Sequence, residues 1–464
     1  MSRINSNSGE WCSLLVPSGL LVPLIYRRIL SSIDWLLLVQ CISITLLSYK
    51  SWYNINSQLY RKNGETVAKL KIQESDGRMK QNIMSIVIVF LFAIGFLIGG
   101  VNKMSILSMI GILAYPKLLP LLFSTYPGSF TYGEGCIVMQ SITLFFVNAL
   151  IRLTSFTKPP KENAEIFITI IQVLLLLEMC LTLISRMAQL MWKKYPLLYF
   201  LVTLTVFGSS LPILVHILSK DPIVFIITCI TSSTQAMKLI SVWFILVMIA
   251  LFIVNGKLKE SDKATTSERK LFHGLIVIVT VSGIYVDVEF TYFASYLVLI
   301  LFIYIESLRS CNIGEISTFL NNALSRFTDE KDQGSLILTH IYLLIGVFLP
   351  LWITSDLKME PKLSLLTGVL SVGVGDSVAS IIGSRYGRTK WPYSPGKSVE
   401  GTIASIIAQV GFVNLLAYFS YLHHVNNSKV LFSIVVTSLI EAYTTQVDNI
   451  VLPFLMYLLF NIFG

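Results

Sequence analysis

The sequence predicts an all-α, polytopic integral membrane protein, and three observations carry that prediction. Of its 464 residues, 54% are hydrophobic and only 13% are charged, well outside the range of soluble domains. The mean hydropathy is +0.72. The apolar residues are gathered in runs of spanning length, since a helix needs roughly 20 predominantly apolar residues to cross a hydrocarbon core of about 30 Å.

In chain order, the clearest runs cover residues 83–101, 165–185, 196–218, 239–254, 271–286, 290–305, 335–354, 363–383, 402–422, 429–440 and 449–463. Weaker runs cover 29–47, 105–124, 134–151 and 222–231, so about 13 to 15 crossings are expected. Segments 152–161 and 186–194 are both basic but separated by one run, so one run of the first half is misjudged or re-entrant, and Pro116 with Lys117 in a weak run is one suspect. The opening MSRINSNSGEWCSLL contains Glu10 and no basic stretch leading into a short apolar core, so no cleaved signal peptide is expected. Six cysteines are scattered without any CxxC spacing and read as small buried hydrophobes. The net charge of +9 arises from basic residues crowded into the connections between runs. That is the bias of cytosolic loops, and it excludes a nucleic-acid-binding role.

The polar stretch NGKLKESDKATTSERK, residues 255–270, divides the chain. Residues 1–254 form an N-terminal transmembrane region with no compact chemical motif, expected to serve as a scaffold for a lipid tail. Residues 255–464 hold the polar clusters and are expected to form the catalytic region. Segments 255–270, 306–334, 384–400 and 441–448 are each separated by two predicted spans, so all four face one side. The first three are rich in Lys and Arg, which predicts a cytosolic face.

Four constellations on that face carry chemistry. Asp376 stands in the otherwise uncharged run 363–383; a carboxylate facing lipid costs at least about 2.5 to 3.5 kcal/mol, so an acid here turns to a cavity or a partner. The loop after it, GSRYGRTKWPYSPGKSVEG, places Arg385, Arg388, Lys390 and Lys397 among Gly383, Gly387 and Gly396, with a helix expected to begin near Ser398. Loop and helix-terminal N–H groups with Lys and Arg form a phosphate receptor, whereas a plain positive loop would bind lipid head groups. Lys397 and Glu400, three residues apart, would also meet if both lay on one helix. In EAYTTQVDN, Glu441 and Asp448 are seven residues apart, two helical turns, and would share a face. With Asp376 they offer hard oxygen ligands for Mg²⁺. In SERKLFH, Arg269 and Lys270 are explained by topology, and His273 is not. Glu306 and Arg309 are read as a structural i, i+3 pair. No GxxxxGK[ST], HRD or DFG motif occurs, which excludes P-loop and protein-kinase folds.

GVGDSVASIIGSRYGRTKWP followed by KSVEGT, then EAYTTQVDN, with RKLFH and FTDEKDQGSLILTHIYLLIG upstream, resembles the dolichol kinase family of endoplasmic reticulum membrane enzymes; polyprenol and phytol kinases and membrane cytidylyltransferases share looser versions. The resemblance covers about the last 200 residues and rests on separated motifs in the same order. It implies CTP-dependent phosphorylation of the terminal hydroxyl of dolichol at the cytosolic face, supplying dolichyl phosphate for protein glycosylation. It also implies that the CTP-binding region spans Gly383 through Gly401, including Arg385, Gly387, Arg388, Lys390, Gly396, Lys397, Ser398 and Glu400. Lys397 with Arg385 or Arg388 would hold the β- and γ-phosphates, Asp376 and Asp448 would hold Mg²⁺, and Glu441 would accept the hydroxyl proton, with Asp448 or Asp376 as alternatives. Arg269, Lys270, His273 and Asn449 are expected as accessory residues. The rival readings are a CTP:lipid-phosphate cytidylyltransferase and, from another class, a membrane transporter.

Overall fold

The computed structural model describes residues 9–25, 37–49, 51, 103–155, 159–259, 264–328, 334–354, 362–392, 394–419, 421–422, 427–444 and 448–463; the predicted run 83–101 lies outside them. The chain forms two compact units, Met1–Ser155 with Gln333–Ser335, and Phe156–Asp332 with Leu336–Gly464. The predicted divide at residues 254 and 255 falls within the helix Thr234–Lys259 of the second unit. Among the described residues, eight helices are long and apolar enough to cross a membrane, and shorter apolar helices accompany them.

The first unit holds α1 (Leu15–Ile25), α2 (Leu37–Tyr49), α3 (Lys103–Thr125) and α4 (Tyr132–Ser155). The segment suspected of re-entry at Pro116 lies inside the continuous helix α3, together with Pro120. Side-chain amides and hydroxyls tie these helices together: Gln40 Nε2 donates to Ser108 Oγ at 2.8 Å, and Gln140 Nε2 donates to Ser48 Oγ at 2.9 Å. Apolar attraction between helices is weak in lipid, so such bonds and close packing assume its role.

The second unit continues with α5 (Asn163–Met187), α6 (Gln189–Lys194), α7 (Pro196–Gly208), α8 (Ser210–Leu218), α9 (Pro222–Thr231) and α10 (Thr234–Lys259). Then follow α11 (Thr266–Val286), α12 (Val288–Ser310), α13 (Gly314–Ser325), α14 (Thr339–Ile353) and the single turn α15 (Lys362–Leu365). A π-helix (Val369–Asp376) runs into α16 (Ser377–Tyr386), strands β1 (Lys390–Trp391) and β2 (Ser394–Ser398), and finally α17 (Val399–Tyr418), α18 (Asn427–Tyr443) and α19 (Asp448–Phe463). Local chemistry fixes several of the starts. Thr265 and Glu268 form a reciprocal capping box on α11, Asp287 accepts from Phe290 N at 2.9 Å on α12, and Ser398 caps α17 through Gly401 N at 3.2 Å.

The predicted span 363–383 is not one α-helix. Its middle is wound as a π-helix, and Ser377 Oγ reaches the carbonyl of Val372, five residues back, at 3.3 Å. The backbone of α14 lies against its start: a Cβ at Gly368 would stand 2.3 Å from Gly346 O and 2.5 Å from Val347 O. The core of the unit is built around Val347, Leu351, Leu366, Val369, Leu370 and Ile434, all fully buried. The all-α expectation meets one local exception, since β1 and β2 pair antiparallel. That hairpin carries the basic loop back against the start of α17, with Val399 N donating to Thr389 O at 2.9 Å.

Candidate active site

Five elements of the second unit converge on one acidic centre. Asp376 closes the π-helix, Glu441 lies in the last turn of α18, and Asp448 opens α19. One carboxylate oxygen from each lies within 4.8 Å of the other two. Glu441 and Asp448 therefore meet, but not along one helix as their spacing predicted. α18 ends at Tyr443 and α19 begins at Asp448, so the pair faces across a break between helices.

Like charges this close repel by roughly 3 to 4 kcal/mol per pair at an effective dielectric of about 20, so the centre requires cations. Two lysines supply them. Lys397, at the end of β2, pairs with Glu441 and lies 3.6 Å from Asp448 Oδ2. Lys270, in the first turns of α11, pairs with Asp376. Burial alone would pull an ammonium toward neutrality, but the carboxylates of Asp448, Glu441 and Asp376 outweigh it and hold Lys397 above the ordinary lysine range.

His273 stands beside the Lys270 pair, with Nε2 3.8 Å from Asp376 Oδ2 and 3.4 Å from Lys270 Nζ. Its Nδ1 lies 3.4 Å from Arg269 O, one helical turn back. Ser380, which sequence reasoning did not single out, donates to Asp376 Oδ1 at 3.3 Å; its position four residues after Asp376 on a helical run was the available signal. Of the expected accessory residues, Lys270 and His273 thus enter the centre. Arg269 contributes its backbone carbonyl, and Asn449 follows Asp448 in the first turn of α19, where its carbonyl abuts Gly346.

The basic loop divides into two sets. Lys397 reaches the acids, while Arg385, Arg388, Lys390 and Gly396 are exposed around it. Arg385 Nη2 lies 3.4 Å from Ser267 Oγ. The alternative pairing of Lys397 with Glu400 is not formed. Glu400 instead accepts the Thr389 N–H at 2.9 and 3.2 Å, bracing the hairpin. Trp391 Nε1 donates to Thr402 Oγ1 at 3.1 Å from the same hairpin. Gly383, Gly387 and Gly401 surround the Ser398 hydroxyl, and a Cβ at Gly387 would stand 2.3 Å from Gly383 O. These glycines allow α16 and the start of α17 to close upon each other, and so aim the basic loop over the acids.

The donor set suits a hard divalent cation. Oxygens ligating Mg²⁺ at about 2.1 Å lie no more than about 4.2 Å apart, so carboxylates already within 4.8 Å need only a small contraction. Acids that can hold a cation, beside a basic loop open to solvent, match the needs of phosphoryl transfer: charge neutralisation and in-line positioning.

Residues 81–409 match the family model described as Dolichol kinase. The chain belongs to the dolichol kinase family. Among its relatives, Dolichol kinase of Mus musculus is 34% identical over 391 residues, covering 80% of this chain and 72% of that protein. Dolichol kinase of Homo sapiens is 33% identical over 392 residues, covering 80% and 71%. Dolichol kinase sec59 of Schizosaccharomyces pombe is 30% identical over 351 residues, covering 72% and 68%. No solved structure matches the chain significantly. Asp376, Lys270 and Lys397 fall within the stretch matched by the dolichol kinase model, whereas Glu441 and Asp448 lie beyond it and enter the centre by geometry.

Proposed function

We propose that this protein transfers the γ-phosphoryl group of CTP to the terminal hydroxyl of dolichol, giving dolichyl phosphate and CDP. The observation that carries the reading is the meeting of Asp376, Glu441 and Asp448 with Lys270 and Lys397, next to an exposed basic loop, in a chain of this family. Dolichol is apolar except for its alcohol, and the nucleotide is highly charged. A site at the ends of spanning helices is where two such molecules can meet.

Lys397, with Arg385 or Arg388, binds the β- and γ-phosphates. Asp376 and Asp448 are the residues that would hold Mg²⁺, which when bound neutralises charge on the transferred group. The alcohol oxygen attacks the γ-phosphorus in line, the bond from that phosphorus to the β–γ bridging oxygen breaks, and CDP leaves. The hydroxyl proton passes to a carboxylate of the centre, for which Glu441 is the candidate. The same reading assigns the protein to the endoplasmic reticulum membrane with this centre facing the cytosol, its product serving protein glycosylation, and residues 1–254 acting as scaffold for the lipid tail.

The test uses purified protein in detergent with dolichol, Mg²⁺ and γ-³²P-labelled CTP or ATP. Label entering the lipid from CTP supports the reading. If the protein binds CTP but labels no lipid, and instead releases pyrophosphate with a lipid phosphate as acceptor, the chain is a cytidylyltransferase.

A further inference from the structure

Below the acidic centre, α17 and α18 carry a buried polar face into the body of the second unit. On α17 it comprises Thr402, Ser405 and Gln409; on α18, Ser433, Thr437 and Ser438, with Glu441 at its upper end. Gln409 is 2% exposed and links the two helices, its Nε2 donating to Ser405 Oγ at 3.0 Å and to Ser438 Oγ at 3.1 Å. Gly375 makes room for it beside Asp376, since a Cβ there would stand 2.6 Å from Gln409 Nε2.

Three oxygens on this face are buried without a hydrogen-bond partner among the described residues: Gln409 Oε1, Thr437 Oγ1 and Ser433 Oγ. Buried polar atoms left unpaired are costly and call for a partner. Thr437 lies about one helical turn before Glu441, and Ser433 about two. Farther from the acidic centre, the facing surfaces of the same two helices turn largely apolar. Val410, Val413, Asn414, Asn427, Val430 and Leu431 line a cavity of about 170 Å³ between the same two helices. Val413 and Val430 form its buried floor, whereas Leu431 is 47% exposed, so the cavity opens on the apolar flank of the protein. An apolar cavity of ~150 Å³ holds benzene, so this one has room for about one five-carbon unit.

Polar glue between helices accounts for the bonds of Gln409 but not for the unpaired oxygens or the void beyond them. Water would satisfy the oxygens but not the apolar cavity. A molecule with one hydroxyl and an apolar chain satisfies both. We infer that the seam between α17 and α18 is the acceptor channel, in which Gln409 Oε1, Thr437 Oγ1 and Ser433 Oγ hold the alcohol end of the lipid on its way to Glu441 and the Val410 to Leu431 cavity takes one of its first chain units. The inference rests on the proposed lipid-alcohol kinase activity and adds a direction to it. The alcohol rises to Glu441 from the membrane side while the nucleotide binds from the loop side, the opposed approach that in-line transfer requires.

The experiment uses the full chain in lipid nanodiscs and a polyisoprenoid alcohol bearing a diazirine on its second isoprene unit. Photolysis is expected to label residues 410–414 and 427–431, and excess dolichol to suppress that labelling. Gln409→Leu is expected to raise the KM for the alcohol at least tenfold with the CTP KM unchanged, and Val413→Trp to abolish the labelling while CTP binding persists. Labelling of other segments by an active wild-type protein, or a Gln409→Leu variant with an unchanged alcohol KM, overturns the channel and leaves the kinase reading standing. A wild-type protein that phosphorylates no alcohol overturns both.

Discussion

Lys397 bridges two helices: its ammonium pairs with Glu441 at the end of α18 and lies 3.6 Å from Asp448 at the start of α19. It is thus both a structural clamp and the basic residue of the loop closest to the acids. Lys397→Ala removes a cation aimed at the developing phosphoryl charge, a loss that ordinarily costs about 10² to 10³ in kcat. Lys397→Arg keeps the charge but not the compact ammonium geometry, and should recover only part of it. Steady-state kinetics on both variants checks this; equal activity in Lys397→Ala and wild type would remove Lys397 from the site.

The Lys270 and Asp376 pair is the most enclosed ion pair of the centre, its side chains 11% and 5% exposed. Removing one partner of a buried pair costs about 3 to 5 kcal/mol, whereas removing both costs much less. Lys270→Met should therefore lower the melting temperature more than Lys270→Met with Asp376→Asn, although both variants lose activity. Thermal denaturation of the four proteins in detergent gives the cycle, and additive shifts would show that the pair is not coupled.

Much of this centre was legible in the sequence, because lone charges in apolar runs are conspicuous. Asp376 was visible as one acid in a span, and Lys397 as a lysine in a glycine-rich basic loop. The junction of Glu441 and Asp448 was read correctly as a meeting but wrongly as one helix, since residue spacing cannot show that a helix ends and another begins between the two. The π-helix was not legible, since a run of apolar and small residues does not distinguish i→i+5 winding from the α-helical kind. Glu400 looked like a partner for Lys397 only while both were placed on one helix; the hairpin turns Glu400 back to Thr389. Lys270 is accounted for by topology and expected only as an accessory residue; its pairing with Asp376 appears only when α11 packs against the π-helix. Buried serines, threonines and a glutamine along α17 and α18 carry no charge, and so left no mark in a reading guided by charge.

Glu441 is separable from the two aspartates by experiment. If it takes the hydroxyl proton, Glu441→Gln should lower kcat by about 10² to 10⁴, the usual contribution of a general base. Binding of Mn²⁺, read by electron paramagnetic resonance in the presence of CTP, should persist in Glu441→Gln and weaken in Asp376→Asn and Asp448→Asn. Loss of Mn²⁺ binding in Glu441→Gln would reassign Glu441 as a metal ligand.

The ionisation of Lys397 sets a limit on the alkaline side. The neighbouring carboxylates raise its folded-state value above that of the unfolded chain. Its contribution to stability is therefore complete below the ordinary lysine value of about 10.4 and fades only as pH rises through the raised value. The CTP KM should show no lysine-type loss up to about pH 10. A KM rising tenfold per pH unit from pH 8 or 9 in the wild type, and absent in Lys397→Arg, would mean that Lys397 deprotonates early and that its carboxylate partners do not hold it.

Gly387 tests whether the hairpin must close for the nucleotide to bind. A Cβ there would lie 2.3 Å from Gly383 O and 2.4 Å from Ser398 Oγ. The hydroxyl can rotate away, but the carbonyl belongs to the backbone of α16 and cannot move without shifting the helix. Gly387→Ala should therefore displace the loop that carries Arg388 and Lys397 while leaving the acids of the π-helix and α19 where they are. The expected result is a CTP KM raised at least tenfold with Mn²⁺ binding retained, measured on the same preparation. The control is Gly256→Ala, outside the basic loop, where a Cβ would meet nothing within 4 Å, and it should bind CTP as the wild type does. Equal CTP affinity in Gly387→Ala and Gly256→Ala would mean that the nucleotide does not depend on the closed hairpin, and the phosphate-binding role would then pass to Arg385 and the start of α11.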